Sequence, residues 1–157
     1  RSTLFWEGPL GCFKDENDVY AFIGKLFEEL AVDPQLAPRF KRANTTVQYQ
    51  MADPEAQITV DMRPDREIRV DLGPSELEPE VVMTLAADTA HGFWLGKVNI
   101  TAALARGQIK ARGPVAKILR LVPLVEPSFP RYEQILRDAG RTDLLEGAYA
   151  ALGERRT

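Results

Sequence analysis

At 157 residues, with 45% hydrophobic and 27% charged side chains, the chain has the size and make-up of one globular domain with a real core. A net charge of −3 and a pI near 5.3 argue against a nucleic-acid binder, and the longest apolar run falls far short of the roughly 20 residues that a membrane helix needs. The single cysteine, Cys12, excludes an internal disulfide and has no metal-ligand spacing, and no charged segment leads into an apolar run at the start, so the expected compartment is the cytoplasm.

Residues 1–15 lack periodicity, carry Gly8, Pro9 and Gly11, and read as an extended arm that packs Phe5, Trp6 and Phe13 elsewhere. Val19, Phe22, Ile23, Leu26, Phe27 and Leu30 fall at helical spacing and predict an amphipathic helix over 16–31. A short helix over 34–42 follows, with Pro34 in its first turn.

Period two then takes over. Val47, Tyr49 and Met51 alternate with polar residues, as do Ala56, Ile58, Val60 and Met62, and then Ile68, Val70 and Leu72, predicting strands over 45–51, 56–62 and 67–72. Asp53-Pro54 and Pro64-Asp65 supply the turns of an antiparallel meander. Each strand has one apolar and one polar face, so the sheet is covered on one side. A fourth strand over 81–87 follows the loop 73–79.

From Asp88 the pattern turns helical. Asp88 or Thr89 is expected to cap a helix carrying Ala90, Phe93 and Trp94, and Asn99 a second one carrying Ile100, Ala103 and Leu104. Gly107 ends it, and 108–112 returns as a strand with Ile109 and Ala111 facing one way and Lys110 and Arg112 the other. Val115, Ile118, Leu119 and Val122 mark one more apolar helix face. Beyond Pro123, Pro127 and Pro130, helices near 130–139 and 142–152 finish the chain. No repeat, linker or low-complexity tract interrupts it, so 1–157 reads as one domain, with 1–15 as an arm and 126–157 as a C-terminal helical extension.

Charge is unevenly spread. The segment 89–125 holds Lys97, Arg106, Lys110, Arg112, Lys117 and Arg120 but no Asp or Glu, so against a chain total of −3 its +6 leaves −9 for the remainder. A stretch both apolar and purely cationic suggests a site for a greasy or anionic ligand more than one for bond-breaking. The inventory for catalysis is thin. His91 is the only histidine, Ser2, Ser75 and Ser128 lie in no nucleophile elbow, and Cys12 has no activating neighbour closer than Lys14. Adjacent acids such as Glu28-Glu29 read as solvated surface, and Gly92 and Gly96 flank bulky residues instead of forming a phosphate loop. No catalytic residue, metal or cofactor is expected.

Val82-Met83-Thr84-Leu85, Phe93-Trp94-Leu95-Gly96-Lys97, Ala102-Ala103-Leu104 and Gly107-Gln108-Ile109-Lys110-Ala111-Arg112-Gly113 follow one another as strand, helix with Gly-Lys, short helix and glycine-framed basic strand. In this order the run 81–124 resembles the sterol carrier protein type 2 family, the non-specific lipid-transfer domains. With the preceding helix and three strands, the resemblance covers about 16–125. Gln108 stands where a lysine is usual, Pro114 where an acid or amide is commoner, and the C-terminal helices go beyond the family's core.

The resemblance implies an α+β fold: a five-stranded, mostly antiparallel sheet with helices packed on one face around an apolar tunnel. It implies tunnel walls drawn from the sheet's apolar face, the helices of 89–105 and the helix after Gly113. The candidates are Phe93, Trp94, Leu95, Ile100, Leu104, Ile118, Leu119 and Val122, around a cavity of about a few hundred Å³. The plain alternative is that these residues only fill a core. The implied function is non-catalytic binding and transfer of an apolar lipid-like ligand, such as a sterol, fatty acid or acyl-CoA. Lys97, Arg106, Lys110, Arg112, Lys117 and Arg120 would meet an anionic head group or, transiently, an anionic membrane, with a solvated face as their plain alternative. The competing function is that of an accessory domain of, or a small member among, lipid- or thioester-metabolising enzymes.

Overall fold

A computed structural model describes residues 11–145; Phe5 and Trp6 of the arm, and most of the helix expected over 142–152, lie outside the described residues. Helix α1 covers 16–32, with a π-helical turn Tyr20–Gly24 between α-helical Glu16–Val19 and Lys25–Val32. Then come α2 (Ala37–Lys41), β1 (Thr46–Ala52), β2 (Ala56–Asp61), β3 (Arg69–Leu72) and β4 (Val81–Ala86). The order continues with α3 (Ala87–Trp94), α4 (Ile100–Ala105), β5 (Ile109–Arg112), α5 (Ala116–Val125), a 3₁₀ turn Glu126–Ser128 and α6 (Phe129–Asp138).

The strands form one sheet in the order β3-β2-β1-β4-β5. The β1–β4 pairing is parallel and the other three are antiparallel, so the fold is α+β with a mixed, mostly antiparallel sheet. Alternation puts the apolar residues in register: Val60, Val47 and Val81 form one row, and Ile58, Tyr49 and Met83 the next. Helix α1 lies on this face, with the Phe27 ring stacked on Tyr49 at 5.4 Å. Gly24 makes the approach close, because a Cβ there would stand 2.9 Å from Leu72 Cδ2. On the opposite face Gln50, Thr84, Lys110 and Arg112 are exposed. Gln48 and Thr59, buried on that face, hydrogen-bond to each other at 3.3 Å.

Three local expectations change. Helix α2 starts at Ala37 and not at Pro34, because the Asp33 carboxylate accepts the N–H groups of Gln35 and Leu36 and holds 33–36 as a turn. Neither Asp88 nor Thr89 caps α3; the cap is Ala86, and the Asp88 carboxylate accepts the Cys12 N–H at 2.8 Å. Helix α5 runs through Pro123 to Val125. The proline removes one backbone hydrogen bond, but the helix buries Ile118, Leu121 and Val125, each contributing roughly 1.5–3 kcal/mol, which outweighs it. Asn99 caps α4 as expected, accepting the Ala102 N–H at 2.9 Å.

A buried polar cluster fastens the ends of the described chain. His91 is fully buried, and its Nε2 lies 2.9 Å from the Leu144 carbonyl, which can only accept. Nε2 therefore carries the proton, and Nδ1 accepts from the Tyr132 hydroxyl at 2.7 Å. Phe13 stacks edge-on against the same ring at 5.5 Å.

Candidate apolar ligand site

The helix-covered face of the sheet does not pack solid. Tyr49, Met51, Met83 and Leu85 make the floor of an internal cavity, Ile23 and Phe27 of α1 one wall, and Ala90, Phe93 and Trp94 of α3 another. Ile100 closes one side, and Ile118, Leu121, Val122 and Val125 of α5 supply the inner face of that helix at i, i+3, i+4 and i+7. Its volume is about 50 Å³, space for roughly four water-sized groups at about 10–15 Å³ each. It is smaller than the few hundred Å³ expected. The reason is aromatic: Trp94 meets Phe27 at 5.4 Å, Phe93 at 5.0 Å and Phe129 at 6.3 Å, all edge-to-face, and these rings fill the space.

Two clefts flank the cavity. One, of about 310 Å³, is lined by residues 96–101 with Glu126 and Phe129, and it shares Phe93, Ile100 and Val122 with the cavity. The other, also about 310 Å³, lies between Arg42, Ala43, Arg120 and Leu124 and shares Leu121.

Of the sequence candidates, Phe93, Trp94, Ile100, Ile118 and Val122 stand on the cavity wall, whereas Leu95, Leu104 and Leu119 do not. Leu119 is offset by about 100° from Ile118 around α5, and Leu95 likewise from Trp94. Leu104 lies a helical turn beyond Ile100, past the end of the cavity. The sheet's apolar face, expected as a wall, supplies the floor through Tyr49, Met51, Met83 and Leu85, whereas Ile23 and Phe27 of α1 lie outside the expected walls, although their helical spacing predicted a buried face.

The six cations have different surroundings. Lys110 and Arg112 are exposed on the sheet face away from the helices, Arg106 caps the end of α4, and Lys97 borders the first cleft. Arg120 shares the second cleft with Arg42. Lys117 is already neutralised: its Nζ donates to Glu80 Oε1 at 3.0 Å and to the Asn44 carbonyl at 3.0 Å. An acid just outside the acid-free segment thus supplies its partner.

The groups that could do acid–base or nucleophilic work point away from chemistry. Burial holds His91 down at about 4, so it is neutral at physiological pH. Burial, reinforced by the Asp88 carboxylate, pushes the Cys12 thiol up, which suppresses thiolate. Among the described residues no cluster of His, Cys, Asp and Glu is placed to hold a metal ion, and no helix is long and apolar enough to cross a membrane.

The SCP-2 sterol transfer family model matches residues 24–126, from the Gly24 contact to the end of α5. The chain belongs to this family. Solved SCP-2 structures share its fold. The sterol carrier protein domain 2 of Helicoverpa armigera superposes with a TM-score of 0.58 at 18% identity, over 72% of this chain and 89% of that one. Palmitated SCP2L2 from Aedes aegypti gives 0.51 at 22% identity, over 69% and 94%. A stereoselective inverting sec-alkylsulfatase from Pseudomonas sp. gives 0.52 at 19% identity, over 62% of this chain but only 15% of the sulfatase. No curated protein is similar enough in sequence to count as a relative. SCP-2 membership supports lipid binding or transfer in general, and helix α6 lies beyond the matched span.

Proposed function

We propose that this SCP-2 chain binds an apolar lipid-like ligand in the cavity over Tyr49 and Met83 and passes it on without chemical change, acting in the cytoplasm. The observation that carries this is a wall of apolar and aromatic side chains, of which Phe93, Ile100 and Val122 also line a surface cleft. Swinging those side chains aside joins 50 Å³ to 310 Å³, which reaches the range of about 300–1,000 Å³ typical of small-molecule sites. Each methylene then buried contributes roughly 0.8 kcal/mol, enough over a dozen carbons to outweigh the ordering costs. A fatty-acyl chain is the first candidate, in keeping with the palmitated relative; a sterol or acyl-CoA is the next. Arg120 and Arg42 on one cleft and Lys97 on the other would steer an anionic head group or membrane.

The sulfatase match favours a second function, that of an SCP-2 module serving a larger enzyme. Native mass spectrometry of detergent-free protein, followed by extraction and identification of bound lipid, tests the first. Stoichiometric lipid is expected, and protein that stays empty after exposure to fatty acids, acyl-CoA and sterols would refute it. Turnover of any of these ligands by the chain would refute the non-catalytic reading.

A further inference from the structure

The side chains on the cavity wall are hydrocarbon and thioether except at two places, the Tyr49 hydroxyl and the Trp94 indole N–H. Tyr49 stands in the central strand between Ile58 and Met83, on the face that the helices cover. Its ring is held by the Phe27 stack, yet its side chain keeps accessible surface and its hydroxyl meets no hydrogen-bond partner among the described residues. Neither does the Trp94 N–H, across the cavity. The other two tyrosine hydroxyls among the described residues are used: that of Tyr132 donates to His91 Nδ1, and that of Tyr20 accepts the Gln57 N–H. Ser128 Oγ is also buried without a partner, but it lines neither the cavity nor a flanking cleft.

A phenylalanine at position 49 would fill the same space and keep the Phe27 stack. Unlike Ser128 Oγ, the Tyr49 hydroxyl keeps accessible surface, so it stands open to a partner from outside the described residues. The indole N–H can only donate and the phenolic hydroxyl can donate or accept, so a ligand oxygen that accepts is the one partner that suits both. We infer that Tyr49 is a specificity-determining residue whose O–H donates to an oxygen of the ligand. The preferred ligand is therefore an apolar molecule with a hydroxyl, ketone or ester oxygen on the part that reaches the sheet floor, and not a plain chain ending in methyl. This rests on the lipid-binding function proposed above. A site that hydrogen-bonds a ligand oxygen also rejects the analogue without it, because its own donor is then left unpaired.

The test is Tyr49→Phe, read in two ways. In the first, thermal unfolding of the ligand-free protein, Y49F melts at or above the parent. A melting point several degrees lower would mean that the hydroxyl is structural and would overturn the inference. In the second, affinities are measured for hexadecanoic acid and for its 16-hydroxy and 9-oxo derivatives. At least one oxygenated probe binds Y49F about tenfold more weakly than the parent, the fold-change of one lost hydrogen bond, while hexadecanoic acid changes less than twofold. Equal ratios for all three probes would overturn the inference and leave lipid binding intact. Failure of all three to bind the parent would overturn both.

Discussion

Ala90 offers a direct probe of the cavity, because its methyl group stands on the wall inside α3. Ala90→Val adds two methyl groups to the void. At about 24 cal/mol per Å³, a void of about 50 Å³ costs the protein roughly 1.2 kcal/mol, the upper limit on what filling it returns. A β-branched residue within a helix takes back about 0.6 kcal/mol. The net expectation is a stabilisation of zero to about 0.6 kcal/mol, or a melting point raised by up to about 2 °C. Ala103 is the control: it is as buried, at 1% exposure against 7%, but lines neither the cavity nor a flanking cleft. The same change there forces packed neighbours apart and costs about 1–3 kcal/mol. Circular-dichroism melts measure both, and calorimetric titration with hexadecanoic acid should show weaker binding to A90V than to the parent. A loss of 2 kcal/mol or more in A90V would mean that no void lies beneath Ala90. Undiminished binding would place the ligand elsewhere.

Other expectations follow from the polar framework. The folded chain holds His91 neutral down to about 4, whereas the unfolded chain takes up a proton below 6.5; stability therefore falls as pH drops through that window, by about 3 kcal/mol at pH 4, and denaturant titrations of a His91→Gln variant should lack that slope. Asp61, buried and held at about 2 by hydrogen bonds from Arg63, contributes fully above pH 4 and loses its contribution as pH falls towards 2; Asp61→Asn should cost roughly 2 kcal/mol at pH 7 and match the parent near pH 2 in urea titrations. Gly113 has φ +96°, and a Cβ there would overlap the Glu80 carbonyl oxygen, so Gly113→Ala should cost roughly 2 kcal/mol or more in a thermal melt. Reversing Lys110 and Arg112 to glutamate should slow ligand transfer to anionic vesicles at low salt, with the difference erased by added salt and equilibrium affinity unchanged.

The strands were legible because a half-buried sheet writes its period into the sequence: Val47, Tyr49 and Met51, then Ile58 and Val60, then Met83 and Leu85 all face the helices, as their alternation says. Helix ends were less legible, since a cap is a contest between partners. Asp88 has the chemistry to cap α3, but the Cys12 N–H, 76 residues away in sequence, claims its carboxylate. Pro123 is a local stop signal overruled by the burial of Val125. The acid-free segment was a true feature of composition, yet Glu80 pairs Lys117 from outside it, so local charge along the chain is not local charge in space. Which face of the pattern stays unfilled was not readable at all, because a cavity is a volume difference among residues that the sequence keeps far apart.

A residue outside the matched span packs against two of the cavity's wall residues. Phe129 opens α6, three residues beyond the matched 24–126, and lies edge-on to Phe93 at 5.7 Å and to Trp94 at 6.3 Å. Gly96, at φ +77°, makes room for it: a Cβ there would stand 3.0 Å from the Phe129 ring. Helix α6 is itself tied back to α1 by Arg131, whose Nη2 meets Asp33 Oδ2 at 2.6 Å. Phe93 thus stands between the cavity and the cleft that it lines together with Phe129. The family core builds most of the apolar chamber, while the C-terminal addition packs against Phe93 and Trp94 of its wall.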